Sequence, residues 1–155
     1  MDTNRRLTLR AAGGAGFQAA LGSAGLLRAG AADAQAFNAA AFQARSVSDA
    51  LKALGAGAPA DSREVAITAP EIAENGAVVQ VAVRSALPRT DFIALLVDRI
   101  PNALAGAFEL PDGTDPDVTL RIKMSQTSQV VALVRADGRY YWARREIKVT
   151  IGGCG

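Results

Sequence analysis

The sequence predicts a mainly β protein: an immunoglobulin-like antiparallel β-sandwich preceded by a short N-terminal helical segment. Two observations indicate this fold class. Apolar residues follow the three-to-four spacing of a helix between positions 37 and 54, and from position 64 onward they recur with a period of two. Turn-forming residues, and not helical segments, separate the alternating stretches, which is typical of antiparallel sheets. About six or seven short strands are expected.

The helical segment runs from Phe37 to Leu54, and Gly55 supplies a stop signal. Ser46 begins a second N-cap pattern inside the segment, so two shorter helices are the alternative to a single one. The glycine-, alanine- and proline-rich stretch at 55–62 is predicted to be a linker or loop. The apolar residues that share one helical face are Phe37, Ala40, Ala41, Ala44, Val47, Ala50, Leu51 and Leu54.

Five later segments carry strand signals. They are 65–67, 78–83 after an Asn75-Gly76 turn signal, 91–97, 118–124 after a turn-rich loop at 111–117, and a hairpin at 128–151. The segment DFIALLV at 91–97 is almost continuously apolar, which suits a strand covered on both faces. The hairpin turns at Asp137-Gly138. Its last strand is expected to place Tyr140 and Trp142 on one face and Tyr141 on the other.

The first 34 residues have the three-part layout of an export signal. Arg5 and Arg6, followed by Leu9 and Arg10, resemble the twin-arginine motif. Ala32-Asp33-Ala34 is the expected A-x-A cleavage site, and Ala34-Gln35-Ala36 is the second choice. We therefore expect export to the periplasm by the twin-arginine route. The predicted organisation is an export signal at 1–34, a helical segment and linker at 35–62, a β-sandwich at 63–151 and a C-terminal arm at 152–155.

The charge pattern gives no sign of a nucleic-acid partner. The sequence pI is about 9.0, but four of the 17 basic residues and two of the 15 acidic residues lie in the predicted export signal. The rest of the chain is neutral with both signs interleaved, and it lacks the basic surface that nucleic acids require. No apolar run has the length and purity of a membrane helix.

The residues of the common catalytic sites are missing from the sequence. It has no histidine and one cysteine, which excludes Cys-His pairs, Ser-His-Asp triads and metal sites built on histidine or several cysteines. We predict no catalytic residue, no metal and no cofactor. Asp112, Asp115 and Asp117 have a spacing that fits an ordinary turn better than a cation site. Arg144-Arg145, beside the aromatic trio, fits a solvated basic edge better than a binding patch.

The one candidate functional group is the thiol of Cys154, which lies in the terminal sequence GGCG. Glycine has no side chain and a permissive backbone, so Gly152, Gly153 and Gly155 are predicted to form a flexible arm. Such an arm would bring the thiol from the domain into a narrow pocket of another protein. A free cysteine has a pKa of about 8.5, so only a few per cent is thiolate at neutral pH. We infer that partner active sites activate the thiol.

Several features together resemble the SoxY family, the carrier subunits of periplasmic thiosulfate oxidation. They are the terminal GGCG, the twin-arginine-like leader, the sandwich-type body and the segments SVSDALKALG and ITAPEIAENGAVVQVAV. The family pattern is usually GGCGG, and this sequence has one glycine fewer. The resemblance implies that Cys154 carries sulfur intermediates covalently and that the protein performs no turnover alone.

The resemblance also implies partners. These are a SoxZ-like subunit that forms a heterodimer with the chain, the c-type cytochrome SoxAX that joins thiosulfate oxidatively to the thiol, the manganese-dependent hydrolase SoxB that releases sulfate, and in some organisms a molybdenum–haem sulfane dehydrogenase. No nucleic acid and no stable membrane insertion are expected. We expect the partner subunit to meet an exposed face near Phe92 to Val97, or the last hairpin.

Two other functions compete with the carrier. An exported immunoglobulin-like binding or structural module would dimerise through a disulfide of Cys154, because an odd cysteine in a secreted protein suggests intermolecular pairing. A stable disulfide needs no glycine on both sides, which favours the carrier. A ubiquitin-like sulfur carrier would use a C-terminal Gly-Gly carboxylate, whereas this sequence ends in Cys-Gly.

Overall fold

The chain folds into two β-sheets and two short helices in the computed structural model, which describes residues 38–150. The helices are α1, Ala39–Gln43, and α2, Val47–Ala53. The strands are β1, Ala60–Asp61; β2, Val65–Thr68; β3, Ile72–Ala73; β4, Val79–Ser85; β5, Thr90–Val97; β6, Leu104–Glu109; β7, Asp117–Ile122; β8, Ser128–Ala136; and β9, Arg139–Val149. Neither of these helices has the length and apolar character needed to cross a membrane. The predicted export signal at 1–34 and arm at 152–155 lie outside the described residues.

The helical segment is divided into two helices because each one has its own N-cap. The Oδ1 atom of Asn38 accepts a hydrogen bond from the Ala41 N–H at 3.0 Å. Ser46 Oγ accepts one from the Asp49 N–H at 3.1 Å, and extended backbone precedes it. The two-helix alternative is therefore the one observed. The chain leaves α2 through Gly55 with a φ of 74°, which confirms the predicted stop signal.

We expect Ser46→Ala to lower the free energy of unfolding by about 1 kcal/mol, because an N–H at the start of α2 loses its acceptor. The substitution also removes the hydrogen bond that Ser46 Oγ donates to Asp49 Oδ2 at 2.7 Å. Ser48→Ala, at an exposed position of the same helix, is the matched control and should change stability by less than about 0.5 kcal/mol. Equal urea midpoints for Ser46→Ala and wild type would contradict this role of the cap.

The larger sheet has the strand order β1-β9-β8-β5-β6, with β3 also paired to β9, and the smaller sheet has the order β2-β4-β7. The longer strands pair antiparallel, which confirms the predicted sandwich, whereas the short strands β1 and β3 run parallel to β9. Three strands are not predicted by the sequence pattern. They are β1, which lies within the predicted linker, β3, which is only two residues long, and β6, whose sequence LAGAFE shows no clear alternation.

Strand β5 is buried on both faces, as the apolar run at 91–97 predicts. Alternate residues from Ile93 to Val97 pack between the two sheets, and those from Phe92 to Leu96 pack with the helices. Every residue from Phe92 to Val97 is at most 5 % exposed. The expectation that a partner binds an exposed face near Phe92 to Val97 is therefore wrong. This strand has β8 and β6 at its edges and packed layers on both faces.

The hairpin of β8 and β9 turns at Asp137 and Gly138, which confirms the predicted position. Their φ angles of 52° and 69° lie in the left-handed region that a tight two-residue hairpin turn requires. Tyr140 and Trp142 pack with the helices, and Tyr141 packs against the core between the sheets. The predicted division of the aromatic trio between the two faces of β9 is thus confirmed.

Candidate functional site

The thiol of Cys154 and the glycines around it lie outside the described residues. The described part of the site is therefore the end of the domain to which the C-terminal arm is attached. That place is the end of β9 at Val149 and Thr150, which we call the arm root. It lies at the opposite end of β9 from the hairpin turn, and its neighbours form the surface around the last described residue of the chain.

Segments distant in sequence hold the arm root by hydrogen bonds. The Thr150 N–H donates to the carbonyl oxygen of Ala73 in β3 at 3.2 Å. The Val149 N–H donates to the side-chain Oγ1 of Thr127 at 3.0 Å. Two successive N–H groups of the chain thus have partners on neighbouring segments, so the strand is held in place as far as its last described residue. The sequence pattern predicts neither contact.

Gly76 approaches the arm root closely. Its carbonyl oxygen accepts a hydrogen bond from the Met124 N–H at 2.7 Å. A Cβ atom at Gly76 would lie 2.1 Å from the Met124 carbonyl oxygen and 2.8 Å from Val149 Cγ1. Its φ is not in the left-handed region, so glycine is needed here for space. The sequence predicts Asn75-Gly76 as a turn, and only the structure shows its contact with the last strand.

A groove of about 490 Å³ opens beside the arm root. Its lining residues are Glu71, Ile72, Arg145, Glu146 and Lys148. The backbone carbonyl of Glu71 accepts a hydrogen bond from the Lys148 N–H at 3.0 Å, and its carboxylate lies 3.8 Å from the Arg145 guanidinium. The formal charges of the two acidic and two basic side chains cancel, and Ile72 is the one apolar residue of the lining.

The Arg144-Arg145 pair has structural partners. Arg144 lines a second cavity, of about 650 Å³, and its guanidinium lies 4.5 Å from the centre of the Trp142 ring. It also donates a hydrogen bond to the Asp61 carboxylate at 3.0 Å. Arg145 donates to the Ile67 carbonyl oxygen at 3.4 Å. Each arginine therefore combines a carboxylate partner with a packing or backbone contact, and Arg145 also lines the groove beside the arm root.

Asp112 lies in a turn, Asp115 lies in the loop that follows it, and Asp117 begins β7. The Asp117 N–H donates to the Asp115 carbonyl oxygen at 2.8 Å, and the Asp117 carboxylate lies 3.6 Å from the Arg84 guanidinium. Within residues 38–150, no group of three or more acidic, histidine or cysteine residues could hold a metal ion. The contacts thus favour the turn interpretation of Asp112, Asp115 and Asp117.

One carboxyl group with a shifted pKa lies away from the arm root. The pKa of Asp137 is lowered, because the Arg89 guanidinium donates a hydrogen bond to its carboxylate and adds a favourable charge. This pair joins the hairpin turn to the segment before β5. The pair therefore lies at the far end of β9 from Thr150.

Comparison with known proteins relates the chain to a family. The sequence pattern of the family described as "Sulfur oxidation protein SoxY" matches residues 50–154. The solved structure of the sulfur carrier protein SoxY from Chlorobium limicola f thiosulfatophilum is similar with a TM-score of 0.63 and 36% sequence identity, over 70% of this chain and 96% of that chain. No curated protein matches the chain.

A second solved structure resembles the chain in fold only. It is the superoxide reductase (neelaredoxin) from Ignicoccus hospitalis, with a TM-score of 0.50 and 23% identity, over 57% of this chain and 81% of that chain. The SoxY matches are stronger evidence, because the family pattern covers most of the chain and the identity to the carrier structure is higher. They confirm the resemblance found in the sequence. The chain therefore belongs to the SoxY family, the sulfur carrier proteins of sulfur oxidation.

Proposed function

We propose that this chain carries the sulfur intermediates of thiosulfate oxidation as covalent adducts of Cys154 and presents them to partner enzymes. The observation that carries the proposal is the extent of the family match, which continues through residue 154 and so includes the Gly152-Gly153-Cys154 segment. Cys154 is also the single cysteine of the sequence. In this role the chain performs no turnover by itself.

The contacts around the arm root support a fixed strand that carries a slender arm. Hydrogen bonds hold the chain as far as Thr150, whereas Gly152 and Gly153 have no side chains with which to pack on the domain. Cys154 follows Thr150 by four positions, which corresponds to at most about 13–14 Å of extended chain. Glycine on both sides of the thiol keeps the arm narrow, so it can enter a slim channel.

Loading of the carrier would be an oxidation. The sulfur of Cys154 forms an S–S bond with the outer sulfur of thiosulfate, the thiol proton passes to water, and two electrons leave. A c-type cytochrome of the SoxAX type is the electron acceptor that the family resemblance implies. The product is a cysteine S-thiosulfonate, which keeps the reactive sulfur attached to the protein.

Unloading would be a hydrolysis by a SoxB-like enzyme. Water attacks the terminal sulfone, sulfate leaves, and a persulfide remains on Cys154. Where a sulfane dehydrogenase is present, it removes six electrons from the outer sulfur while three water oxygens are added. A second hydrolysis then releases another sulfate and restores the thiol.

We further propose that the chain acts in the periplasm as a heterodimer with a SoxZ-like subunit. The layout of residues 1–34, with Arg5 and Arg6 in a twin-arginine-like motif, supports export of a folded protein. A partner without its own signal would then travel with the chain. Deleting residues 1–34 is expected to leave both subunits in the cytoplasm on cell fractionation, and a partner that is still exported would refute joint export.

Reconstitution tests the carrier role. The chain and its partner subunit are mixed with thiosulfate, the cytochrome and the hydrolase, and sulfate is measured as the amount of chain is varied. We expect no sulfate without the chain and a rate that rises with its concentration. Sulfate production that does not need the chain would contradict the proposal. A quantitative disulfide dimer on non-reducing gels, with no sulfate formed, would favour the covalent dimer instead.

A further inference from the structure

We propose that the groove beside the arm root is the surface on which the enzymes that act on Cys154 dock. The groove is lined by Glu71, Ile72, Arg145, Glu146 and Lys148. This inference rests on the proposed carrier function and adds the place of contact and the character of the partner surface. Four observations support it: the length of the arm, the position of the exposed apolar side chains, an open strand edge, and the balance of charge.

The length of the arm limits where an enzyme can bind. The Cα atom of Cys154 can lie at most about 13–14 Å from that of Thr150, and part of this length is used inside the enzyme's pocket. The mouth of that pocket must therefore contact residues close to the arm root. Ile72 is such a residue, since it stands opposite Lys148 in the strand register. Its neighbour Ala73 accepts the hydrogen bond from Thr150.

Two large hydrophobic side chains are exposed among the described residues, and one of them, Ile72, lines the groove. Ile72 is 55% exposed and Val78 is 58% exposed. Val78 lies two positions after Gly76, whose backbone closely approaches Val149. Ile72 thus gives the groove an exposed apolar side chain close to the place where the arm begins. Apolar contacts surrounded by a polar rim are typical of protein–protein interfaces.

The edge of β9 is open along the groove. The pairing with β1 ends at Trp142, and the pairing with β3 begins at Lys148. Between them, within the described structure, no strand pairs with residues 143–147 on that edge. An open strand edge offers backbone hydrogen-bonding groups to a partner. A loop at the mouth of an enzyme pocket could therefore place an apolar side chain against Ile72 and bond to this edge.

The balance of charge indicates the character of the partner surface. Glu71 and Glu146 contribute negative charge, and Arg145 and Lys148 contribute positive charge in equal number. Without an excess of either sign, the contact gains little from long-range attraction. We infer a pocket mouth that is apolar at its centre and weakly charged overall, and docking that depends little on ionic strength. This suits a carrier that must leave each enzyme after its reaction.

The test compares Ile72→Lys with Thr114→Lys. Thr114→Lys is the control, because it adds the same positive charge at another exposed position. Thr114 lies before β7, whereas Met124, which contacts Gly76 near the arm root, lies after that strand. Val78→Lys is an independent variant at the other exposed hydrophobic side chain, two positions after Gly76. Each full chain, with its partner subunit, is loaded by reaction with tetrathionate. The Cys154 thiolate attacks tetrathionate and displaces thiosulfate, and Cys154 then carries the S-thiosulfonate. Loading in this way does not require docking to an enzyme.

Sulfate release by the hydrolase is then measured over a range of carrier concentrations. We expect kcat/KM to fall about tenfold or more for Ile72→Lys and for Val78→Lys, mainly through KM, and to stay unchanged for Thr114→Lys. Iodoacetamide should label Cys154 equally fast in all three variants, and their Tm values should agree with that of the wild type.

The outcomes separate the docking surface from the carrier function. If the loaded wild type is not hydrolysed at all, the carrier function fails. If the wild type is hydrolysed and Ile72→Lys is hydrolysed equally well, the docking surface is wrong although the carrier function stands. If Ile72→Lys instead releases the partner subunit on size-exclusion chromatography, the groove belongs to a permanent interface, which also overturns the inference.

Discussion

Replacing Cys154 by serine is expected to reduce sulfate formation from thiosulfate to the background seen without the chain. Serine keeps a small polar side chain, but its hydroxyl cannot form the S–S bond through which thiosulfate would be attached. Because the proposed enzymes act only on the protein-bound adduct, no slower route remains. The measurement is sulfate release, together with reduction of the cytochrome, in the reconstituted system.

The same substitution should leave the fold unchanged, because the sandwich described over residues 38–150 is complete without the thiol. The free energy of unfolding of Cys154→Ser is expected to lie within about 0.5 kcal/mol of the wild type in urea denaturation. A Cys154→Ser protein that unfolds would show that the thiol has a structural role. That result would contradict the separation of fold and function proposed for this chain.

Gly76→Ala is expected to destabilise the protein by about 2–3 kcal/mol. The new methyl group would lie 2.1 Å from the Met124 carbonyl oxygen, which is backbone and cannot turn away, and 2.8 Å from Val149 Cγ1. Either the backbone contact between Gly76 and Met124 or the end of β9 must therefore move to make room for the methyl group. Thermal and urea denaturation measure the loss, and hydrogen exchange at Val149 and Thr150 should report faster opening of the arm root.

Gly57→Ala is the matched control for this prediction. A Cβ atom at Gly57 meets no other atom within 4 Å, and its φ is not in the left-handed region. We expect its stability to equal that of the wild type or to rise slightly, since alanine restricts the unfolded chain. If Gly76→Ala were as stable as Gly57→Ala, the close approach of Gly76 to the last strand would be refuted.

Local signals in the sequence predict much of the fold. The segment at 91–97 predicts a strand buried on both faces, because the six residues that follow Asp91 are all apolar and none of them marks a solvated side. Asp137-Gly138 predicts the hairpin turn through residues that tolerate a left-handed backbone. Ser46 indicates the two-helix alternative, because its hydroxyl can accept a hydrogen bond from an N–H group three residues later.

Contacts between distant segments are what the sequence does not predict. Strand β3 is only two residues long and joins β9 in parallel, so no alternation reveals it. Strand β6 is missed because small residues such as Gly106 interrupt its pattern and its pairing with β5 contains an irregularity. The expected partner face at 92–97 is wrong for a related reason: a strand that is covered on both faces presents no surface to another protein.

The candidate site divides in the same way. Cys154 can be found from the sequence alone, since it is the single cysteine and has glycine on both sides. The groove beside the arm root cannot be found from the sequence, because Ile72 resembles any other apolar residue of a strand. The interpretation of Ile72 as a docking residue depends on the parallel register that places it opposite Lys148. It also depends on the exposure of its side chain, which only the folded structure defines.

The carrier role is best tested by the intact mass of the mature chain purified from cells grown on thiosulfate, followed by the mass of the peptide that contains Cys154. We predict adducts of one extra sulfur or of a thiosulfonate on this peptide, and their removal by a reducing agent. A uniform disulfide dimer that carries no sulfur adduct under any growth condition would contradict the carrier role and indicate a covalently dimerised binding module.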